Sequence, residues 1–194
     1  AALVLLAAPY LIPYARNVMG LSFTQIMIFG TLSGAIATIA IMPWWGKVLD
    51  RHGPRRVMLL AFAGAPLSAS FYLLARPGSV LPVFLHNFVG ALFWSGTNLS
   101  ATTLQLSCSP DDIRSAHIAV FSSVTALVGT AFGALTGGAL LEICAANQWF
   151  SGAFDRYKAL VLLAVILRFS TALLLVPRLQ DGYADQVQGR TSST

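Results

Sequence analysis

The stretch GKVLDRHGPRR, Gly46 to Arg56, puts five formal charges and a histidine into eleven residues. It lies between two long apolar runs, about Thr24–Trp45 and Val57–Ala75. Charge packed between two such runs is the pattern of a loop at a membrane surface joining two helices that cross the bilayer. Composition agrees. The chain is 56% hydrophobic and 10% charged, with mean hydropathy +0.72, whereas a soluble globule normally carries about 25% charged residues. The solvent this surface suits is lipid.

Working outward, a helix crossing the roughly 30 Å hydrocarbon layer needs about 20 apolar residues. Six runs qualify, at about Ala1–Ala15, Thr24–Trp45, Val57–Ala75, Val80–Leu104, Ala116–Ile143 and Ala159–Val176. They are rich in Leu, Ala and Gly and lack the alternation of period two that a transmembrane barrel would show. The expected fold class is all-α, a polytopic membrane protein with six transmembrane helices. Residues 1–177 form the membrane domain and residues 178–194 a polar tail. The first run starts at Ala1 without a methionine and is short for a full crossing, so sequence upstream of it is expected. No basic leader and cleavage site marks a secretory signal.

Lysine and arginine accumulate on the cytoplasmic side of membrane proteins. With the Gly46 loop inside, Lys47, Arg51, Arg55, Arg56, Arg114, Arg178 and Arg190 are cytoplasmic. Arg16, Arg76, Arg156 and Lys158 are outside, and Arg168 falls within the sixth run. Both ends are then cytoplasmic. The net charge of +5 is accounted for by basic inner loops facing anionic lipid, so no nucleic-acid partner is called for. Cys108 and Cys144 fall on opposite sides of the bilayer, which precludes a bond between them, and neither has metal-ligand spacing.

In the charged stretch, Gly46, Gly53 and Pro54 suit a close approach and a bend. Asp50 stands among basic residues; it can pair with Arg51, Arg55 or Arg56, or cap a neighbouring helix, and such contacts can form in one conformation and break in another. The plainer reading is anchoring at the inner surface. The stretch resembles the signature between the second and third helices of each half of major facilitator superfamily transporters, roughly GxxxDRxGRR. Gly46, Asp50, Arg51, Gly53 and Arg55 match; Pro54 stands where a basic residue is usual, with Arg56 one place later. PYLIPYARNVMGLSFTQIMIFGTL resembles the family's opening helix and outer turn. GALFWSGTNLSATTLQLSCSPDDIRSAHIAVF resembles the fourth helix, the inner loop and the start of the fifth in bacterial members, closer to the carboxyl-terminal half.

The resemblance implies six helices built as a 3+3 inverted repeat, one half of a twelve-helix carrier whose amino-terminal half is its partner. It implies a bacterial cytoplasmic (inner) membrane and a conformational latch at Gly46, Asp50, Arg51, Gly53 and Arg55. Gly138 and Glu142 repeat the Gly-xxx-acid spacing at the end of the fifth run, which makes Glu142 a candidate gate beside the alternative of an ordinary helix-end carboxylate in outer water. It also implies that the first and fourth helices line a central cavity.

The fourth run points the same way by itself. At about 100° per residue, Asn87, Trp94, Asn98 and Gln105 fall within about 20° of one direction. Asn87, Trp94 and Asn98 are candidate cavity residues, the other reading being amides that join helices by hydrogen bonds; Gln105 sits nearer the inner interface. On the first run Tyr10, Tyr14 and Asn17 share a face. Tyr10 is the deeper and joins the cavity candidates, while Tyr14 and Asn17 approach the outer surface, where an aromatic belt is the simpler reading. His86 is a candidate for a coupling proton, or else a structural histidine. Arg168 is expected to pack against a neighbouring helix's carbonyls, with direct solute contact or snorkelling as the other readings. Gly129, Gly133 and Gly137 form a small-residue face on the fifth run, suited to close helix packing.

No GxSxG, HExxH, phosphate loop or paired intramembrane carboxylates occur, so the sequence does not read as an enzyme and calls for no cofactor or metal. Secondary transport of a small solute by alternating access is the expected function, with a coupling proton or cation an open question. The alternative is a transport-inactive membrane assembly or sensory scaffold of the same shape.

Overall fold

A computed structural model of the chain describes residues 7–109, 112–147 and 153–174, and these residues are almost wholly helical. The polar tail and the short joints around residues 110–111 and 148–152 lie outside the described residues. The helices are α1 (Ala8–Pro13), α2 (Phe23–Met27), α3 (Ser33–Ser70), α4 (Leu81–Cys108), α5 (Arg114–Ala126), α6 (Gly133–Ala146) and α7 (Ala153–Leu174). A π turn at Tyr14–Val18 prolongs α1, one at Ile28–Leu32 fuses α2 to α3, and one at Leu127–Phe132 fuses α5 to α6. The fold class is all-α, as expected.

Local chemistry explains the starts and turns. Ser22 and Gln25 form a reciprocal capping box at the start of α2, satisfying backbone donors that the first turn leaves open. Pro82 sits in the first turn of α4, where its missing N–H costs nothing. Gly20 and Gly78 take φ of 74° and 78°, and the Gly78 N–H donates to the Met19 carbonyl at 2.7 Å, tying two turns together at one end of the bundle.

Composition suggests a loop, but the charged stretch is not a loop throughout. Helix runs through Gly46–His52 and resumes at Pro54; only Gly53 departs from helical geometry, with φ 76° and ψ 164°. Lys, Leu, Asp and Arg can all continue a helix beyond the apolar layer, and the helix ends only where a residue can take a positive φ. Pro54 then opens the next arm, as its fixed φ allows. Ile41, Trp45, Val48 and Leu49 before the break pack with Val57 and Ala61 after it, so the two arms lie alongside each other. The continuous stretch Phe23–Leu74 has 52 residues and would measure about 78 Å if straight. Folding at Gly53 shortens each arm to a length that matches a bilayer.

The most extensive packing joins both arms of α3 to α4. Close approach depends on glycine. A Cβ at Gly96 would lie 2.5 Å from the Trp45 ring, and one at Gly64 would collide with the Phe93 ring. Trp45 is buried, and its indole N–H donates to the Leu92 carbonyl at 2.7 Å. A second cluster gathers Leu11, Tyr14, Met19, Tyr72, Val83 and Val161 near the Gly20 and Gly78 turns. Tyr14 is fully buried there, with its ring 5.1 Å from that of Tyr157 and 5.9 Å from that of Tyr72. An aromatic belt is therefore not its role; it belongs to the core.

The outer surface is apolar. Ile39 is 76% exposed and Leu135 71%, and none of the residues of α5 is buried. Contiguous apolar surface of this extent suits lipid rather than water. Among the described residues, two helical stretches, Phe23–Leu74 and Arg114–Cys144, are long and apolar enough to cross a membrane.

Candidate functional site

Helix α4 forms one wall of a cavity of about 610 Å³, to which it contributes His86, Asn87, Gly90, Ala91, Trp94, Ser95 and Asn98. The spacing of three and four puts these residues on one face. The opposite wall is made by small and hydroxylated residues of the α2–α3 rod, Gly30, Thr31, Gly34 and Thr38, with Met42 beyond them. Ala8 and Leu11 of α1, Ala65 and Ser68 of α3, and Arg168 of α7 complete the lining. The volume lies within the roughly 300–1,000 Å³ of pockets that hold small molecules.

Most hydroxyls on α4 are spent within the helix. Ser95 donates to the Ala91 carbonyl, Thr97 to Phe93 at 3.2 Å, Ser100 to Gly96 at 2.8 Å and Thr103 to Leu99 at 2.9 Å. This back-bonding lets a polar helix sit in apolar surroundings. Asn87 behaves likewise, its Nδ2 donating to the Val83 carbonyl at 2.9 Å while its amide packs on Gly30, where a Cβ would lie 3.2 Å away. Trp94 and Asn98 differ. Among the described residues neither the Trp94 indole nor the Asn98 amide has a hydrogen-bond partner, and Trp94 is 39% exposed. Both remain available to a solute, and among the described residues neither joins α4 to another helix by a hydrogen bond.

His86 sits deeper on the same face. Its Nδ1 lies 2.9 Å from the Ser68 carbonyl, and because a carbonyl only accepts, Nδ1 carries the proton. Nε2 is then the ring atom left to exchange a proton or bind a solute. The ring also stands edge-on to Tyr72, 5.0 Å between centroids at 66°.

Arg168 was expected first to pack against a neighbouring helix, with direct solute contact or snorkelling as the other readings. On α7 the buried residues Val161, Ala164, Val165 and Arg168 recur at intervals of three and four, so the guanidinium-bearing residue continues the inward stripe. It is 9% exposed and lines the cavity. An arginine in mid-helix can equally snorkel outward, and only the packing of α7 against α3 decides which way it faces. Gly30 and Gly34 were missed because glycine leaves no polar signal.

The other candidates lie elsewhere. The Tyr10 hydroxyl donates to the Ala134 carbonyl at 2.5 Å, and a Cβ at Gly138 would come 2.6 Å from the Tyr10 hydroxyl oxygen. Tyr10 thus stands at the contact between α1 and α6, outside the cavity lining, which takes Ala8 and Leu11 from α1 instead. Glu142 is exposed on α6. Gln105 is half-buried and outside the lining. Gly129, Gly133 and Gly137 are buried, in keeping with a packing face.

At the Gly53 break, Asp50 and Arg51 are exposed and Arg55 is half-buried. Among the described residues Asp50 makes no hydrogen bond or ion pair. A Cβ at Gly46 would meet nothing within 4 Å, so no neighbour within this chain requires glycine there.

The family model of the Major Facilitator Superfamily matches residues 2–184. The chain belongs to the major facilitator superfamily. Members of this family are membrane transporters, and the apolar helices agree with an integral membrane protein. No curated protein and no solved structure matches the chain. For this superfamily member, the cavity between α3, α4 and α7 is accordingly the candidate place for a solute.

Proposed function

We propose that this chain is a six-helix half of a secondary transporter that moves a small solute by alternating access, with the cavity walled by α4 as the solute site. The observation that carries the reading is the pair Trp94 and Asn98, whose polar groups are unspent on a cavity wall where the neighbouring Asn87, Ser95 and Thr97 are satisfied within their own helix. Polar groups left open in apolar surroundings are costly unless something binds them.

In this reading the two arms of the Gly53 hairpin, the stretch around α1 and the rods α4, α5–α6 and α7 each cross the bilayer, arranged as a 3+3 inverted repeat. Both ends face the cytoplasm, in a bacterial inner membrane. The cavity is completed by an amino-terminal six-helix half, and rocking of the halves exposes it to either side in turn. Asp50, with Gly46, Arg51, Gly53 and Arg55, serves as the latch between conformations; its exposed, unpaired state here leaves it available to a partner surface. His86, through Nε2, or Glu142 is the group that could carry a coupling proton. Tyr10 acts by holding α1 to α6.

Solute flux into vesicles containing the complete protein tests the proposal. Flux that falls strongly in Trp94→Ala and Asn98→Ala supports it. Flux unchanged in both variants removes the site, and no flux for any solute leaves a scaffold instead of a carrier.

A further inference from the structure

The open polar groups of the cavity are both donors and acceptors, and they stand on both of its walls. On α4 the Trp94 indole N–H donates, the Asn98 amide does both, and Asn87 Oδ1 and His86 Nε2 accept. On the α2–α3 rod opposite, the hydroxyls of Thr31 and Thr38 make no hydrogen bond among the described residues, so each can donate and accept. We infer that the solute is an uncharged, polyhydroxylated ring of the sugar class held between the two walls, with Thr31 and Thr38 as binding residues. The inference deepens the transport reading above and rests on it.

The two threonines stand out against their counterparts. A threonine on an apolar helix can turn its hydroxyl to the carbonyl four residues back, and Thr97, Thr102, Thr103, Thr136 and Thr171 all do so. Thr31 and Thr38 line the cavity with theirs open. Thr31 also falls in the π turn Ile28–Leu32, a break in helical regularity of a kind that recurs at functional sites. Near it Gly30 and Gly34 pack against Asn87, where a Cβ would lie 3.2 Å from the amide Nδ2 and 3.6 Å from the backbone carbonyl oxygen. That contact sets Thr31 beside the polar face of α4.

The open groups are spread out instead of gathered at one point. From His86 to Asn98 they span about 18 Å of α4, and from Thr31 to Thr38 about 10 Å of the rod. A solute with a single polar end can meet only one or two of them. A ring with hydroxyls around its rim meets several, each hydroxyl donating to one group and accepting from another. Its C–H faces suit the Trp94 ring and the apolar side chains of Leu11 and Met42.

Charge points the same way. Arg168, which brings a charge to the lining, already has an interaction within the chain. An anion would have to compete with that interaction, and a cation would meet like charge. Among the described residues of the lining there is no carboxylate to pair with an ammonium group.

The test uses the complete protein, purified in detergent, with the thermal unfolding midpoint read as a function of solute concentration. The probes are the neutral sugars glucose, galactose, xylose and maltose; glucuronate and glucosamine, which add a charge to the same kind of ring; and cyclohexanol, a ring with a single hydroxyl. At least one neutral sugar is expected to stabilise the wild type at a concentration at which the charged sugars and cyclohexanol do not. Thr31→Val and Thr38→Val keep the side-chain shape and remove a hydroxyl that the fold does not use; each is expected to weaken that sugar's affinity about fivefold. Thr136→Val, on α6 outside the lining, is expected to leave the affinity at the wild-type value. Stabilisation by glucuronate, glucosamine or cyclohexanol in preference to the neutral sugars, or by no member of the panel, would overturn the sugar assignment. Unchanged affinity in both threonine variants, or an equal loss in Thr136→Val, would overturn the role of the two hydroxyls. The transport reading is judged apart from these outcomes, by whether Trp94→Ala and Asn98→Ala lower flux.

Discussion

The Tyr10 hydroxyl donates a hydrogen bond to the Ala134 carbonyl, joining α1 to α6 across 124 residues of sequence. Gly138 makes room for the same oxygen. Tyr10→Phe removes the donor and keeps the ring. It is expected to lower stability by about 1 kcal/mol and to leave solute affinity within twofold of wild type, because Tyr10 does not line the cavity. Thermal unfolding and solute binding measured on one preparation check this; a large loss of affinity with unchanged stability would return Tyr10 to the solute site.

Gly53 bends the longest helical stretch with φ 76° and ψ 164°, a conformation open in practice to glycine alone. Gly53→Ala is expected to cost on the order of 1–3 kcal/mol and to reduce the amount of folded protein in the membrane. Pro54→Ala at the start of the following arm should cost less, since proline there fixes φ without replacing a bonded N–H. The unfolding midpoints of the two variants, compared side by side, check the order.

Gly96 lets α4 approach Trp45, whose ring a Cβ would meet at 2.5 Å. Gly96→Ala forces the rigid, buried indole to shift and puts strain on its hydrogen bond to the Leu92 carbonyl. The expected cost is about 1–3 kcal/mol. Pairing it with Trp45→Leu should recover part of that loss, which a double-mutant cycle of unfolding midpoints measures.

Asp50 is exposed beside the Gly53 break. As the carboxylate of a latch it matters to the exchange between conformations and little to folding. Asp50→Asn is therefore expected to lower flux severalfold with membrane abundance near normal, read by vesicle uptake against quantitative blotting. Unchanged flux would leave the arginines, and their role in anchoring, as the whole meaning of the stretch.

Different parts of the molecule were legible to different degrees, for physical reasons. The helical class and the hairpin around Gly46–Arg56 follow from long apolar runs separated by charge, a signal that lipid imposes on sequence. The face of α4 bearing Asn87, Trp94 and Asn98 follows from periodicity, because a polar stripe on an apolar helix must turn away from lipid. Periodicity says nothing about what a face meets. Tyr10 and Tyr14 share a face, yet one is held by a carbonyl of α6 and the other is buried among Tyr72 and Tyr157. Arg168 could not be placed from its own helix, since its long stem permits either direction until α7 packs. The helical continuation through Lys47–His52 was hidden because charged residues suggest a loop, although they carry adequate helix propensity.

The central claim, that a solute meets the chain at the open face of α4, is tested most directly by thiol labelling of position 98. Cys108 and Cys144 are replaced by Ser, and Asn98→Cys and Ile39→Cys variants in membranes are treated with a small water-soluble thiol reagent. Position 98 is expected to label readily and to be protected by the transported solute, while position 39, on the exposed apolar surface, labels slowly with or without solute. Equal labelling of the two positions, or labelling at 98 that the transported solute leaves unchanged, would contradict the account.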